Sequence, residues 1–258
     1  MMGAPLLPRC RYAAGAVWRR NALVWRKFFT PSLLINFGEP FLYLLGLGYG
    51  LGLFIGEMMN MPYLTFLASG ILASSAMNTA SFEAMYSVYT RMVPQRTYDA
   101  ILATPLEVQD ILAGEWLWSA SKSLISSTAI LVVALGAVHG WQALWALPVL
   151  FLTGLTFAGL GLIMTAFAKG YDFFNYYMTL VLTPMFILSG VFYPVSSLPA
   201  PLQTAVQILP LTHAVDLVRP LIAGQPVTQV ALHLAVLAAY ALAGFTIAAV
   251  LIRRRLLV

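Results

Sequence analysis

Residues 228–255 read TQVALHLAVLAAYALAGFTIAAVLIRRR, a run without Asp, Glu, Lys or Arg until it closes on Arg253, Arg254 and Arg255. A helix of that length, at about 1.5 Å per residue, crosses about 30 Å of hydrocarbon, and its basic end belongs on the cytoplasmic side. The rest of the chain has the same character. Of its 258 residues 60% are hydrophobic and 9% charged, with a mean hydropathy of +0.84, where a soluble domain carries about a quarter charged residues. Further apolar runs at 31–56, 62–88, 112–138, 143–168 and 174–193 join the one at 228–251. The predicted fold is therefore an all-α polytopic membrane protein with six transmembrane helices. Residues 1–30 form a cytoplasmic tail and 31–258 a single membrane domain.

The charges orient it. Lys and Arg number 14 against 9 Asp and Glu, but they gather at the chain ends and in short connections instead of forming the basic face of a nucleic-acid binder. Arg9, Arg11, Arg19, Arg20, Arg26, Lys27, Arg91, Arg96, Lys169, Arg253, Arg254 and Arg255 fall on one side, and Arg219 alone on the other. Both termini and the 89–111 connection are thus expected on the cytoplasmic side. No cleavable signal is apparent, and the single cysteine, Cys10, reads as a free thiol that excludes an internal disulfide.

Three segments do not read as spans. Residues 9–29 place Ala13, Val17, Val24 and Phe28 on a helical period among arginines, with Trp18 and Trp25, which predicts an amphipathic helix in the cytoplasmic interface. Tyr193 to Gly224, with Pro194, Pro199, Pro201, Pro210 and Pro220, predicts two short helices dipping into the outer leaflet and breaking near Pro210. In the 91–115 connection, Thr97 is expected to cap a short helix through Ala103. Thr104-Pro105-Leu106-Glu107 has the form of a capping box opening the next helix. The short helix would show Tyr98, Ile101 and Leu102 to whatever lies below, or pack them on the membrane.

At these residues the chain resembles the type-2 ABC exporter permeases, and among them the nodulation-protein-J-like lipooligosaccharide exporters. The resemblance lies in Trp18-Arg19-Arg20-Asn21, in Glu39-Pro40-Phe41-Leu42-Tyr43 running to Gly48, and in Tyr98-Asp99-Ala100-Ile101-Leu102-Ala103-Thr104-Pro105. It continues in Phe186 to Pro194 and in Leu209-Pro210-Leu211-Thr212-His213. It implies a homodimer served by two copies of a separate ABC ATPase, with ATP and Mg bound there and no cofactor in this chain. It also implies a coupling role for Tyr98, Asp99, Ile101, Leu102 and Thr104, and a re-entrant hairpin over Pro194 to Gly224. The chain carries no G-x-x-x-x-G-K-[ST] phosphate loop. The row Gly46, Gly48, Gly50, Gly52 reads as a helix-packing device.

Glu39, Glu83 and Lys122 fall inside predicted spans, at about 12, 8 and 15 Å from the cytoplasmic ends by helix rise. A charge in hydrocarbon needs a partner. Lys122 is expected to pair with Glu39 or Glu83, either as a structural clamp or at a polar path that meets substrate. His139, His213 and His233 are dispersed, without metal-ligand spacing. Asp216 and Arg219 read as a local ion pair. The function these readings support is the permease subunit of an ATP-driven exporter of a lipid-linked or lipid-like saccharide, in contact with membrane lipid and not with nucleic acid. Export of hydrophobic drugs or polyketide glycosides is the alternative. An intramembrane lipid-modifying enzyme using Glu83, Arg91, Arg96 and Asp99 and an ion-coupled carrier are the rivals from other classes.

Overall fold

The computed structural model describes residues 11–133 and 141–257, with the side chains of 11, 32–37, 39, 133 and 257 excepted. Cys10 and His139, and the Glu39 side chain, lie outside the described residues. Helix α1 (Arg11–Arg26) leads into α2 (Phe29–Tyr43), which continues through a π-helical segment (Leu44–Tyr49) to α3 (Gly52–Ile55). A two-residue hairpin of β1 (Glu57–Met58) and β2 (Met61–Pro62), paired Glu57 with Pro62 and Met58 with Met61, departs from the all-α expectation. Next come α4 (Tyr63–Phe82), a second π segment (Glu83–Ser87), α5 (Val88–Met92), the short α6 (Thr97–Leu102) and α7 (Val108–Val133). Beyond them lie α8 (Ala146–Phe167), α9 (Asp172–Tyr177) running by a third π segment into α10 (Thr183–Leu188), α11 (Ala200–Val206), α12 (Pro210–Ala223) and α13 (Val230–Leu257).

Among the described residues two helical stretches are long and apolar enough to cross a bilayer, Trp141–Phe167 with mean hydropathy 2.0 and Val230–Leu256 with 2.3. A third is added if α11 and α12, which meet at 90°, count as one broken span. Helices α4 and α7 fall short for a structural reason. They pack against each other and α8 at the centre, where α4 buries Ser69, Ser74, Ser75, Thr79 and Ser81 and α7 buries Asp110, Glu115 and Ser119. A polar side chain is tolerable there because the bundle supplies its partners. α13 lies along α8 with backbones nearly touching. A Cβ built on Gly244 would stand 3.0 Å from the Gly159 carbonyl carbon, so two glycines set that approach. In the row 46 to 52 only Gly48 has this property among the described contacts, with Leu64 2.6 Å from its virtual Cβ. Gly46 and Gly50 face open space, so the row is not one packing seam within the chain.

The expected break at Pro210 is where α12 begins, since proline fits the first turn of a helix. The Asp216–Arg219 ion pair does not form. Arg219 turns inward, donating from Nη2 to the Gly190 carbonyl at 2.6 Å and from Nε to Ser69 Oγ at 3.2 Å, with its guanidinium 3.7 Å from the Phe66 ring centre. It thereby ties α12 to α4 and to the turn after α10. The hairpin faces the bundle, and Leu211, Val215, Leu217, Val218 and Ile222 are buried.

Candidate functional site: a buried charge cluster between two cavities

The site is organised by the second π segment. Its widened turn leaves backbone carbonyls in need of donors, and Thr165 of α8 supplies one, its hydroxyl donating to Ala84 O at 2.7 Å. Such bulges gather at functional positions because they re-aim side chains without ending the helix. Here the re-aimed residue is Glu83, 4% exposed. It accepts from Lys122 Nζ at 2.7 Å, Ser87 Oγ at 2.9 Å, Trp118 Nε1 at 3.0 Å and Arg91 Nη2 at 3.2 Å. Glu83 is thus the carboxylate that the structure brings to Lys122.

Arg91 extends the cluster. It forks onto Glu115, Nε to Oε1 at 2.9 Å and Nη2 to Oε2 at 2.6 Å, the bidentate geometry that matches guanidinium to carboxylate. Glu115 is fully buried and accepts also from Asn21 Nδ2 at 2.9 Å and from the Tyr98 hydroxyl at 3.1 Å. Two carboxylates face two cations, so the cluster is neutral as a whole. Neutrality, with several hydrogen bonds to each carboxylate, is what permits burial of these ions. Glu115 and Asn21 were missed by sequence reasoning. The available signal was the spacing of Glu115, Trp118 and Lys122 at i, i+3 and i+7 on one helix face.

Helix α1 is drawn into this site. Ala13, Ala14, Val17 and Asn21 are buried against α7, where Gly114 lets the helices meet, its virtual Cβ lying 2.6 Å from Val17 Cβ. Trp18 donates to Ser121 Oγ at 3.0 Å, and Trp18 and Trp25 both meet the Trp118 ring edge-on. Val24 and Phe28 are 48% and 61% exposed within the chain, and the face covered by α7 runs through Asn21.

The short helix is present as α6, with two corrections. Thr97 is not its cap, because Arg96 takes the cap position in the left-handed region (φ 48°) and no side chain bonds there. Nor does Thr104 open α7: its hydroxyl donates to Ile101 O at 2.6 Å, closing α6. Helix α7 begins at Val108, with Glu107 N–H donating to Asp110 Oδ2 at 3.1 Å. Tyr98 does not face outward. It is fully buried beneath α6, and burial first, then the Glu115 carboxylate, push its phenol well above the usual pKa of 10. Ile101 and Leu102 pack partly on the core, while Asp99, Ala100, Ala103, Thr104 and Pro105 form the exposed surface. Arg96 is exposed as well, so the four residues of the rival enzyme reading do not assemble into one site.

Two cavities meet at the cluster. The inner cleft, about 330 Å3, is lined by Pro40 and Tyr43 of α2, Ser75, Asn78 and Thr79 of α4, and Phe186 of α10. The second, about 440 Å3, is lined by Arg20, Trp25 and Phe28, by Arg91 and Gln95, and by Tyr171. Glu83, Tyr86, Ser87 and Lys122 border both. Phe82, Tyr86 and Tyr171 stack in a column along this path, at 5.3 and 6.1 Å between ring centres. Pro40 places the residue after Glu39 at the inner cleft. At the other end of the molecule, His213 and His233, dispersed in sequence, meet with Nδ1 atoms 2.8 Å apart, while His213 Nε2 lies 2.8 Å from Gln207 O. Among the described residues no group of three potential metal ligands forms.

Comparison with known proteins gives the family of this helical bundle. Residues 12–223 match the family described as ABC-2 type transporter. The protein belongs to that family. This ABC-2 type chain is 46% identical to Nodulation protein J of Rhizobium leguminosarum bv. viciae over 258 residues, covering 99% of this chain and 100% of the relative. To Nodulation protein J of Rhizobium leguminosarum bv. trifolii it is 47% identical over 244 residues, 94% and 93% of the two chains. It is also 26% identical to the Inner membrane transport permease YadH of Escherichia coli (strain K12) over 210 residues, 79% and 80% of the two. An ABC-2 permease is the membrane subunit of an ABC transporter and works with a partner that carries the ATPase.

Proposed function

We propose that the chain, as a homodimer with two copies of an ABC ATPase, exports a lipid-linked or lipid-like saccharide across the bacterial inner membrane. In this reading 31–258 is one six-span domain, both termini are cytoplasmic, and α1 within the 1–30 tail lies at the cytoplasmic interface. The 194–224 hairpin re-enters the outer leaflet. ATP and Mg bind in the partner. The observation that carries the reading is the continuous hydrogen-bonded chain from the short loop helix to the cleft: Tyr98 to Glu115, Glu115 to Arg91, Arg91 to Glu83, Glu83 to Lys122. A push on the exposed residues of α6, Asp99 and Thr104 with the edges of Ile101 and Leu102, moves Tyr98 and through it the heads of α5 and α7. The widened turn at Glu83 is where α4 can yield. The cleft then opens or closes along Glu83 and Lys122, with Glu39 placed by the sequence at the same depth. Relatives named for nodulation support the saccharide substrate, as does a path that combines stacked aromatic rings with hydroxyl and amide groups, which sugar rings engage by stacking and hydrogen bonding.

The test is reconstitution with the candidate ATPase in lipid. Stable co-purification and ATPase stimulation by a lipo-oligosaccharide are expected. Absence of a complex, or hydrolysis indifferent to every amphiphile, rejects the export reading.

A further inference from the structure

Lys122 is held differently from the other charges in the cluster. Glu83 and Glu115 each accept from several donors, and Arg91 binds both carboxylates. Among the described side chains Lys122 has one partner, Glu83 at 2.7 Å, engaging one of the three protons of its ammonium. It is also the most exposed of the four at 18%, against 14% for Arg91, 4% for Glu83 and 0% for Glu115. It borders both cavities, whereas Glu115 borders neither.

Glu83 can release Lys122 without being stranded. Ser87, Trp118 and Arg91 remain as donors, with Arg91 then shared between Glu83 and Glu115. The reverse does not hold, since Lys122 freed from Glu83 is a cation in a half-open cleft that has no other acid among the described lining residues. Its surroundings there are the face of α4 that carries Ser75, Asn78 and Thr79, beside the rings of Phe82 and Tyr86. Ammonium, hydroxyl, amide and aromatic face together complement a sugar that bears an acid group.

We infer that Lys122 is an anion-binding, specificity-determining residue: a carboxylate, sulfate or phosphate on the sugar headgroup of an amphiphile replaces Glu83 on its ammonium as the ligand crosses between the two cavities. This rests on the export reading. The ion exchange moves no covalent bond, and the charge of the cluster is restored when Glu83 returns.

The experiment uses the full chain in phosphatidylcholine nanodiscs, titrated with dodecyl glucoside and dodecyl glucuronide below their micelle concentrations, reading tryptophan emission through Trp118 beside Glu83. The two probes share tail and ring and differ by a carboxylate. The glucuronide should bind about tenfold tighter or more, as one charge-assisted contact provides. Lys122→Gln should abolish the gap and Lys122→Arg should keep most of it, which also guards against a variant that merely folds poorly. Equal affinities in the natural chain, or a gap that survives Lys122→Gln, overturn the proposal. Phosphatidylglycerol added to the nanodisc separates the anion's source: a gap that persists supports the sugar-borne acid, and one that vanishes assigns the site to phospholipid and overturns it. With the ATPase bound, stimulation by both probes without an affinity gap rejects the anion site and leaves export standing. A Lys122-dependent gap without stimulation does the opposite.

Discussion

The two ends of the bundle bury charge in opposite ways. At the α6 end, four ions neutralise each other in a network spanning α4 to α7, with Asn21 of α1 bonded to it. At the hairpin end, Arg219 is buried with no carboxylate within ion-pair distance among the described residues, held by a carbonyl, a hydroxyl and an aromatic face. A network of mutual ions is costly to cut, because each loss strands a charge. A cation solvated by dipoles and a ring is cheaper to remove, because the groups it bonds are neutral and Asp216 nearby loses only a longer-range counter-charge. The first arrangement can transmit motion between elements, and the second pins one element in place.

The comparison makes ordered predictions. Glu115→Leu leaves Asn21 and Tyr98 without their acceptor and Arg91 with Glu83 alone, which it must share with Lys122, and should cost about 3–5 kcal/mol, read as a large fall in the melting temperature of the purified chain and in its yield. Arg219→Met should cost less, about 1–3 kcal/mol, and should show as faster proteolysis within 194–224. If it proves as damaging as Glu115→Leu, the contrast between the two ends fails. Tyr98→Phe removes one hydrogen bond to a charge, about 1.5–3 kcal/mol, and should weaken ATPase stimulation while leaving the assembled complex intact. Because the folded phenol is raised above its unfolded value of 10, its contribution is complete below pH 10 and lost only above. The difference between Tyr98→Phe and the natural chain should therefore stay constant from about pH 7 to pH 9.5 in thermal unfolding, and narrowing below pH 9 refutes the assignment. Asp99→Ala, on the exposed surface of α6, should change stability by less than about 0.5 kcal/mol yet lower coupled ATPase activity.

Much of the helical layout was legible because apolar runs and prolines report on local backbone. Pro210 opens α12, and all but the first two residues of the run 228–251 lie in α13. The pairing of Lys122 with Glu83 was one of two that counting residues along helices allowed. Their surroundings did not follow. A single turn widened at Glu83 rotates the side chains after it on that helix, so the inward direction of Arg91 could not be counted from the start of α4. Tyr98 is a second case: the residue expected to reach outward is the one that anchors α6 from beneath.

The sequence by itself determined the hydrophobic class, the helices and the places where proline and glycine stop or tighten them, since these depend on residues a few positions apart. Only the tertiary structure decided that Glu115, 24 positions from Arg91 and 94 from Asn21, closes the charge cluster. It likewise decided that His213 meets His233 and that Arg219 turns from Asp216 to Gly190. A buried polar group takes whichever partner the packing brings within about 3 Å, and that distance is set by how helices cross, not by their spacing along the chain.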